Sequence, residues 1–184
     1  FTSVMAKVEA SPEMIRLGED ERGRERFTTR EMIGVEERME RAAGGLAAAR
    51  GHAVGASARD EALRSASLGA EQEAAFRHVI GREDLALVVG FAGTGKSTML
   101  GAAREAWEAQ GYSVRGAALS GIAAENLEGG SGIHSRTIAS LEHAWGQGRE
   151  ELTSRDVLVI DEAGMVGSRQ MERVLSHAQQ AGAK

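Results

Sequence analysis

Apolar and polar positions follow two rhythms along this chain. Leu85-Ala86-Leu87-Val88-Val89 and Val157-Leu158-Val159-Ile160 are short, uninterrupted apolar runs, the pattern of strands buried on both faces of a parallel sheet. Elsewhere the apolar residues recur at helical spacing. Met32, Ile33, Val35, Met39, Ala42, Ala43 and Leu46 predict a helix over about 29–49, with Thr28 as N-cap and Glu31 completing a capping box. A short helix is expected over 57–66 and another over 68–80, where Ala75, Phe76, Val79 and Ile80 form the apolar face. Before these, Ile15-Arg16-Leu17 and Arg24-Glu25-Arg26-Phe27 flank a polar, glycine-bounded turn and predict a small hairpin.

The second half alternates strand and helix. A helix follows residue 95 to about Gln110, closed by Gly111, and Ser113–Ala118 is a second short strand. A helix over Ile122–Leu127 precedes Gly129-Gly130-Ser131-Gly132, which reads as a flexible loop. Ser135-Arg136-Thr137-Ile138 leads into a helix ending near Gly146, and Gly167–Ala181 is a last helix after the Val157–Ile160 run. Alternating strands and helices predict an α/β fold with helices flanking a parallel sheet. The expected division is an N-terminal hairpin and helices over 1–66 and an α/β unit over 67–184.

Composition adds limits. The 184 residues carry a net charge of −5, which gives no global electrostatic case for nucleic-acid binding. The cluster Arg22, Arg24, Arg26 and Arg30 is interleaved with acids and reads as a solvated face. There are no cysteines, so disulfides and thiolate metal sites are excluded, in keeping with a cytoplasmic protein. No apolar run approaches membrane-spanning length. His52 stands alone in the break between two helices, so no metal is expected there.

Chemistry concentrates after the first apolar run. Gly90-Phe91-Ala92-Gly93-Thr94-Gly95-Lys96-Ser97 has the spacing G-x-x-x-x-G-K-[ST] between a strand pattern and a helix pattern, the phosphate-binding P-loop. Glycines let successive N–H groups turn inward around a phosphate, and the helix beginning at Lys96 aims its positive end at the same place. Lys96 is the candidate to reach the β- and γ-phosphates, Ser97 to hold Mg²⁺, and Thr98 completes the nucleotide-binding stretch. Some 60 residues on, the second run ends in Asp161-Glu162, at the strand end where open α/β sheets place ligands. Asp161 is the candidate to hold Mg²⁺ through its water shell, and Glu162 to orient or deprotonate the attacking water. Gln72 is either a surface glutamine or, lying upstream of a P-loop, a residue whose amide pairs with adenine. ATP and Mg²⁺ are the expected ligands. A GTPase would carry an Asn-Lys-x-Asp motif, which is absent, and a non-catalytic adaptor has no need of Glu162; a kinase or GTPase, or an adaptor, is the alternative.

Together these residues resemble the RecD-like superfamily-1 helicases, in particular the helicase part of the TraA-type conjugative transfer relaxases of Ti-like plasmids. Gly90–Ser97 matches helicase motif I and Asp161-Glu162-Ala163 motif II, whose Glu is the hydrolytic base. Gln72 falls where the family has its adenine-reading glutamine. Ala118-Leu119-Ser120-Gly121-Ile122 resembles motif Ia, which touches single-stranded DNA, and Thr137-Ile138 resembles a second DNA-path segment, although Ala139 stands where relatives carry His. The resemblance implies a RecA-like ATPase fold and single-stranded DNA as partner. It also implies parts this chain does not contain: motif III, a second RecA-like domain with its arginine finger, and a relaxase nuclease domain. The chain starts at Phe1 and stops where the next strand is expected, after Gly182. In the implied fold the motif III strand lies between the P-loop strand and the Asp-Glu strand, so two ladders are expected to be unpaired, and ATP hydrolysis by these residues alone is expected to be very low or nil.

Overall fold

The computed structural model describes residues 11–90 and 93–184. Strands β1 (Met14–Glu19) and β2 (Glu25–Thr29) form the expected antiparallel hairpin. Asp20 fixes its turn by accepting the N–H groups of Arg22 and Arg24, each at 2.9 Å, and the Arg24 side chain. Arg22, Arg24, Arg26 and Arg30 are all exposed.

Helix α1 (Arg30–Ala48) starts one residue later than the capping-box pattern predicts. Thr28 is held in β2 opposite Ile15, so the cap falls to Thr29, whose hydroxyl accepts the Met32 N–H at 3.1 Å. Glu31 turns away from the cap to pair with Arg169 at 2.9 Å. Next come α2 (Ala56–Ser65), α3 (Ala70–Val79) and α4 (Lys96–Glu108), the helix that follows the P-loop.

The remaining elements are β3 (Ser113–Ala118), α5 (Gly121–Ser131), β4 (Ser135–Thr137), α6 (Ile138–Trp145), β5 (Asp156–Ile160) and α7 (Ser168–Ala181). The three strands form a parallel sheet in the order β4-β3-β5, with Val114 opposite Val157 and Ala118 opposite Thr137. Period-2 alternation sends their side chains to two cores. Val114 and Val157 join Phe76, Met99, Ala103 and Trp107 on one face. Ala117 joins Leu46, Ile138, Leu141 and Val174 on the other. Helices thus cover both faces of the sheet, the α/β arrangement expected from sequence.

Two segments depart from expectation. The expected loop at 129–132 is the end of α5: Gly129 and Gly130 are helical, and the helix closes at Gly132, whose φ of 71° is left-handed. Ser131 is buried, its hydroxyl donating to Leu127 O at 2.5 Å and accepting the Ile133 N–H at 3.2 Å, which holds the last turn in place. The apolar run 85–90 is not a sheet strand. Leu85 and Ala86 pack against the cores, but Leu87 is 73% and Val89 100% exposed. Strand geometry needs a neighbouring ladder, and none lies beside this run among the described residues. The edge of β5 carries one start of a ladder: the Lys184 N–H donates to Asp156 O at 3.1 Å and Lys184 O accepts the Leu158 N–H at 2.8 Å.

The N-terminal part braces the sheet at two places. Helix α1 lies along α7, with Arg38 against Glu172 at 3.1 Å and Gly45 backing onto the Gln179 side chain. The break between α1 and α2 is anchored by a buried pair. His52, 2% exposed, meets Asp84, 6% exposed, with Nδ1 2.7 Å from Oδ1, while Nε2 lies 3.1 Å from Ser154 O. Asp84 Oδ1 also accepts the Gly51 N–H at 2.9 Å, and the Tyr112 ring lies over His52. His52 is therefore a structural clasp.

Candidate nucleotide-binding site

The turn into α4 is built by left-handed glycines. Gly93 has φ 78° and Gly95 φ 73°, conformations that cost a side-chain-bearing residue about 1 kcal/mol or more. Gly95 is the N-cap of α4 and offers no side chain to its first turn, so the amides there remain directed at whatever approaches. Phe91 and Ala92, also candidate nucleotide-binding residues, lie outside the described residues. Lys96 folds back across the loop, its Nζ donating to Gly90 O at 2.7 Å. A Cβ on Gly90 would fall 3.0 Å from Thr94 Oγ1 and 3.4 Å from the Lys96 side chain, so the glycine leaves room for the lysine stem. Ser97 sits half-buried in the first turn of α4, and Thr98 is exposed.

Gln72 touches this loop directly. Its Nε2 donates to Thr94 O at 3.1 Å and to Gly95 O at 3.3 Å, and its Oε1 accepts the Gly69 N–H at 2.8 Å. A Cβ on Gly95 would strike that amide. The glutamine is thus at the P-loop, as its position upstream suggested, but its amide is occupied by loop carbonyls and by the start of its own helix. The Gly69 N–H, which sequence reasoning passed over, is the group Gln72 caps while it reaches the loop; a glutamine at the third position of a helix was the available signal.

All three sheet strands run parallel, so their C-terminal ends share one edge. Asp161 follows β5 there, half-buried, with its N–H donating to Ala117 O at 3.0 Å. Glu162 is exposed and left-handed at φ 52°, one of two such non-glycine residues among those described. Its N–H donates to Asp161 Oδ1 at 3.0 Å, which holds the Asp161 carboxylate against the turn. Strained backbone at the candidate base fits a site where geometry outweighs local preference. Ser120 ends the same edge after β3 and caps α5 by accepting the Ala123 N–H at 3.2 Å. Thr137 ends β4 and caps α6, accepting the Ser140 N–H at 3.2 Å. The structure therefore brings Ser120, Gly121, Thr137, Asp161 and Glu162 to one edge, and α4 is joined to that sheet by Met99, Ala103 and Val157 in a shared core.

The donor set suits Mg²⁺. Ser97 and Asp161 offer hard oxygens, and among the described residues no group of three His, Cys, Asp or Glu could hold a metal alone. A cation that shares its ligands with phosphates and water needs no more protein than this. A separate groove lies beside the first half of β3, lined by Arg115, His134, Arg136, Leu141 and Glu150. Its arginines are engaged, Arg115 with Asp156 at 2.9 Å and Arg136 with Glu150, and it is distinct from the P-loop.

A family model described as an AAA domain matches residues 67–184. The chain belongs to this AAA domain family. The match covers the P-loop, β3, β5 and the Asp161-Glu162 pair, so the AAA domain of this chain is a P-loop ATPase-type unit. Over its full length the chain is also similar to curated conjugal transfer proteins. It is 45% identical to "Probable conjugal transfer protein TraA" of Sinorhizobium fredii, 44% to "Conjugal transfer protein TraA" of Rhizobium radiobacter, and 42% to the protein of that name from Agrobacterium fabrum. The chain spans 17% of the first of these proteins and 18% of the other two. The resemblance read from Gly90–Ser97 and Asp161-Glu162 to TraA-type proteins therefore holds along the whole chain. No helix among the described residues is long and apolar enough to cross a membrane.

Proposed function

We propose that this AAA domain binds ATP·Mg²⁺ and, as part of a longer conjugative transfer protein, drives single-stranded DNA translocation in the cytoplasm. The observation that carries the reading is the pairing of two halves in one fold: a left-handed glycine turn with Lys96 and Ser97 at a helix start, and Asp161-Glu162 at the C-terminal edge of the sheet that helix packs on. In this reading Lys96 leaves Gly90 O to meet the β- and γ-phosphates, and the first turn of α4 receives the phosphate oxygens on its amides. Ser97 and Asp161 hold the cation, which neutralises charge developing on the phosphates. Glu162 orients the attacking water. Gln72 exchanges its loop carbonyls for the adenine edge. Single-stranded DNA passes Ser120-Gly121 and Thr137, and a second RecA-like domain supplied in cis completes the catalytic site. Residues 1–66 lead into the ATPase unit of 67–184.

The test is titration of a fluorescent ATP analogue with Mg²⁺ against the wild type and Lys96→Ala. Loss of roughly tenfold or more in affinity is expected from removing a charge-assisted phosphate contact. Equal affinity in the two proteins would overturn the site assignment.

A further inference from the structure

Two consecutive glycines inside a helix break a local rule, since each costs about 1 kcal/mol against alanine. In α5 the two glycines face different surroundings. A Cβ on Gly129 would meet nothing within 4 Å. A Cβ on Gly130 would fall 2.7 Å from Ser97 Cβ and 2.9 Å from Ser97 Oγ. The obstacle is not the far end of a flexible chain: Ser97 Cβ is fixed to the first turn of α4, so any side chain at 130 must displace that turn or tilt its own helix.

The surrounding contacts leave little room for either. One turn further along α4, a Cβ on Gly101 would lie 3.3 Å from Ser131 O, so the two helices meet backbone to backbone at successive turns. Arg104 of α4 reaches Gly132 O at 3.5 Å, and Ser131 is pinned by its own hydrogen bonds to Leu127 O and Ile133 N. The end of α5 is therefore seated on α4 at the residue assigned to the cation.

We propose that Gly130 is a positioning residue for the Ser97 hydroxyl: by bringing α5 into direct contact with Ser97 it sets where that oxygen points. The inference rests on the ATP·Mg²⁺ reading above and adds to it a residue far from the motif in sequence. It separates two parts of nucleotide affinity. The P-loop amides and Lys96 act on phosphate with or without the metal, whereas Ser97 acts only through the metal. Disturbing Gly130 should weaken the second part more than the first.

The experiment is titration of the fluorescent ATP analogue, with Mg²⁺ and with chelator, against wild type, Gly129→Ala, Gly130→Ala, Ser97→Ala and the double variant Ser97→Ala/Gly130→Ala. Gly129→Ala is expected to match wild type. Gly130→Ala is expected to lose roughly 10–100-fold of the gain that Mg²⁺ brings, the range for residues that orient a ligand, and less of the metal-free affinity. In the Ser97→Ala background, which keeps the Cβ but has no hydroxyl to orient, Gly130→Ala should remove nothing further from the Mg²⁺-dependent gain. Wild-type Mg²⁺ dependence in Gly130→Ala, or equal loss with and without Mg²⁺, would overturn the inference while leaving the ATP reading in place. No binding by wild type would overturn both. Hydrogen exchange on the wild type gives a measurement independent of how the variants fold. Mg²⁺ added with nucleotide should slow exchange of the 130–132 amides beyond nucleotide alone, and identical exchange would overturn the inference.

Discussion

Removing the His52 side chain is the sharpest test of how the N-terminal segment is attached. In His52→Ala three contacts disappear together: the 2.7 Å approach to Asp84, the 3.1 Å approach to Ser154 O, and the ring contact with Tyr112. Asp84 stays behind, 6% exposed, with the Gly51 N–H as its remaining hydrogen-bond donor. Taking away one partner of a buried hydrogen bond costs about 1–3 kcal/mol, most of it the desolvation of the acceptor left short of a donor. Domains are stable by about 5–15 kcal/mol, so the loss is a large share of the total. With a urea m-value of about 2 kcal/mol per molar, the unfolding midpoint should fall by about 0.5–1.5 M. The assay is urea unfolding followed by far-UV circular dichroism and Trp107/Trp145 fluorescence, whose coincidence also checks two-state behaviour. The double variant His52→Ala/Asp84→Ala should be less destabilised than the two single losses added together, because the two side chains share one hydrogen bond. A cost under about 1 kcal/mol for His52→Ala, or strict additivity in the double variant, would refute the clasp as an energetic element.

Other consequences follow from particular contacts. Gly116→Ala would place a methyl against Ser135 Oγ and Leu127 Cδ2, and should lower stability by about 1–3 kcal/mol in thermal unfolding, as overpacking does. Thr29→Ala removes the cap of α1 and should cost about 1 kcal/mol, read in the same assay; no loss would return the cap to Thr28. At Glu142, burial pushes the carboxyl up, but hydrogen bonds from Arg173 and Gln170 together outweigh it and hold the group below its usual 4.5. A carboxyl depressed in the folded state gives stability that is present above the unfolded value and is lost as pH falls through the folded one. The melting-temperature gap between wild type and Glu142→Gln should therefore be largest near about pH 6 and close towards about pH 3. A constant gap would show that the α6–α7 contact does not depend on the ionised carboxylate.

The strand β5 was legible because an apolar run between turn signals has few other uses, and β3 because a helix closed by Gly111 precedes it and a turn at Leu119-Ser120-Gly121 follows; the observed bounds match both readings. Lys96 and Ser97 stood out in the sequence for a different reason: the spacing G-x-x-x-x-G-K-[ST] is one that phosphate chemistry demands, and Asp161 and Glu162 stood out by closing an apolar strand pattern. What stayed hidden depended on partners distant in sequence. The run 85–90 reads as a strand by every local rule and lacks only a neighbour. Gly129 and Gly130 read as a loop because local preference says so, and the close approach of Gly130 to Ser97 lies 33 residues away in sequence. His52 read as an isolated polar residue because its acceptors lie 32 and 102 residues away. The engagement of Gln72 with Thr94 and Gly95 is likewise a matter of where α3 lands, which no motif specifies.

The pairing of α1 with α7 sets a clock for synthesis. Glu31 and Arg169 are 138 residues apart, so the apolar stripe Val35, Ala42 and Leu46 is made long before the helix that covers it. At roughly 5–20 residues per second, a ribosome needs about 7–28 s to deliver that partner. Throughout this interval α1 has its own cap at Thr29 but not the helix that covers its apolar stripe, so the brace becomes available only once α7 has been made.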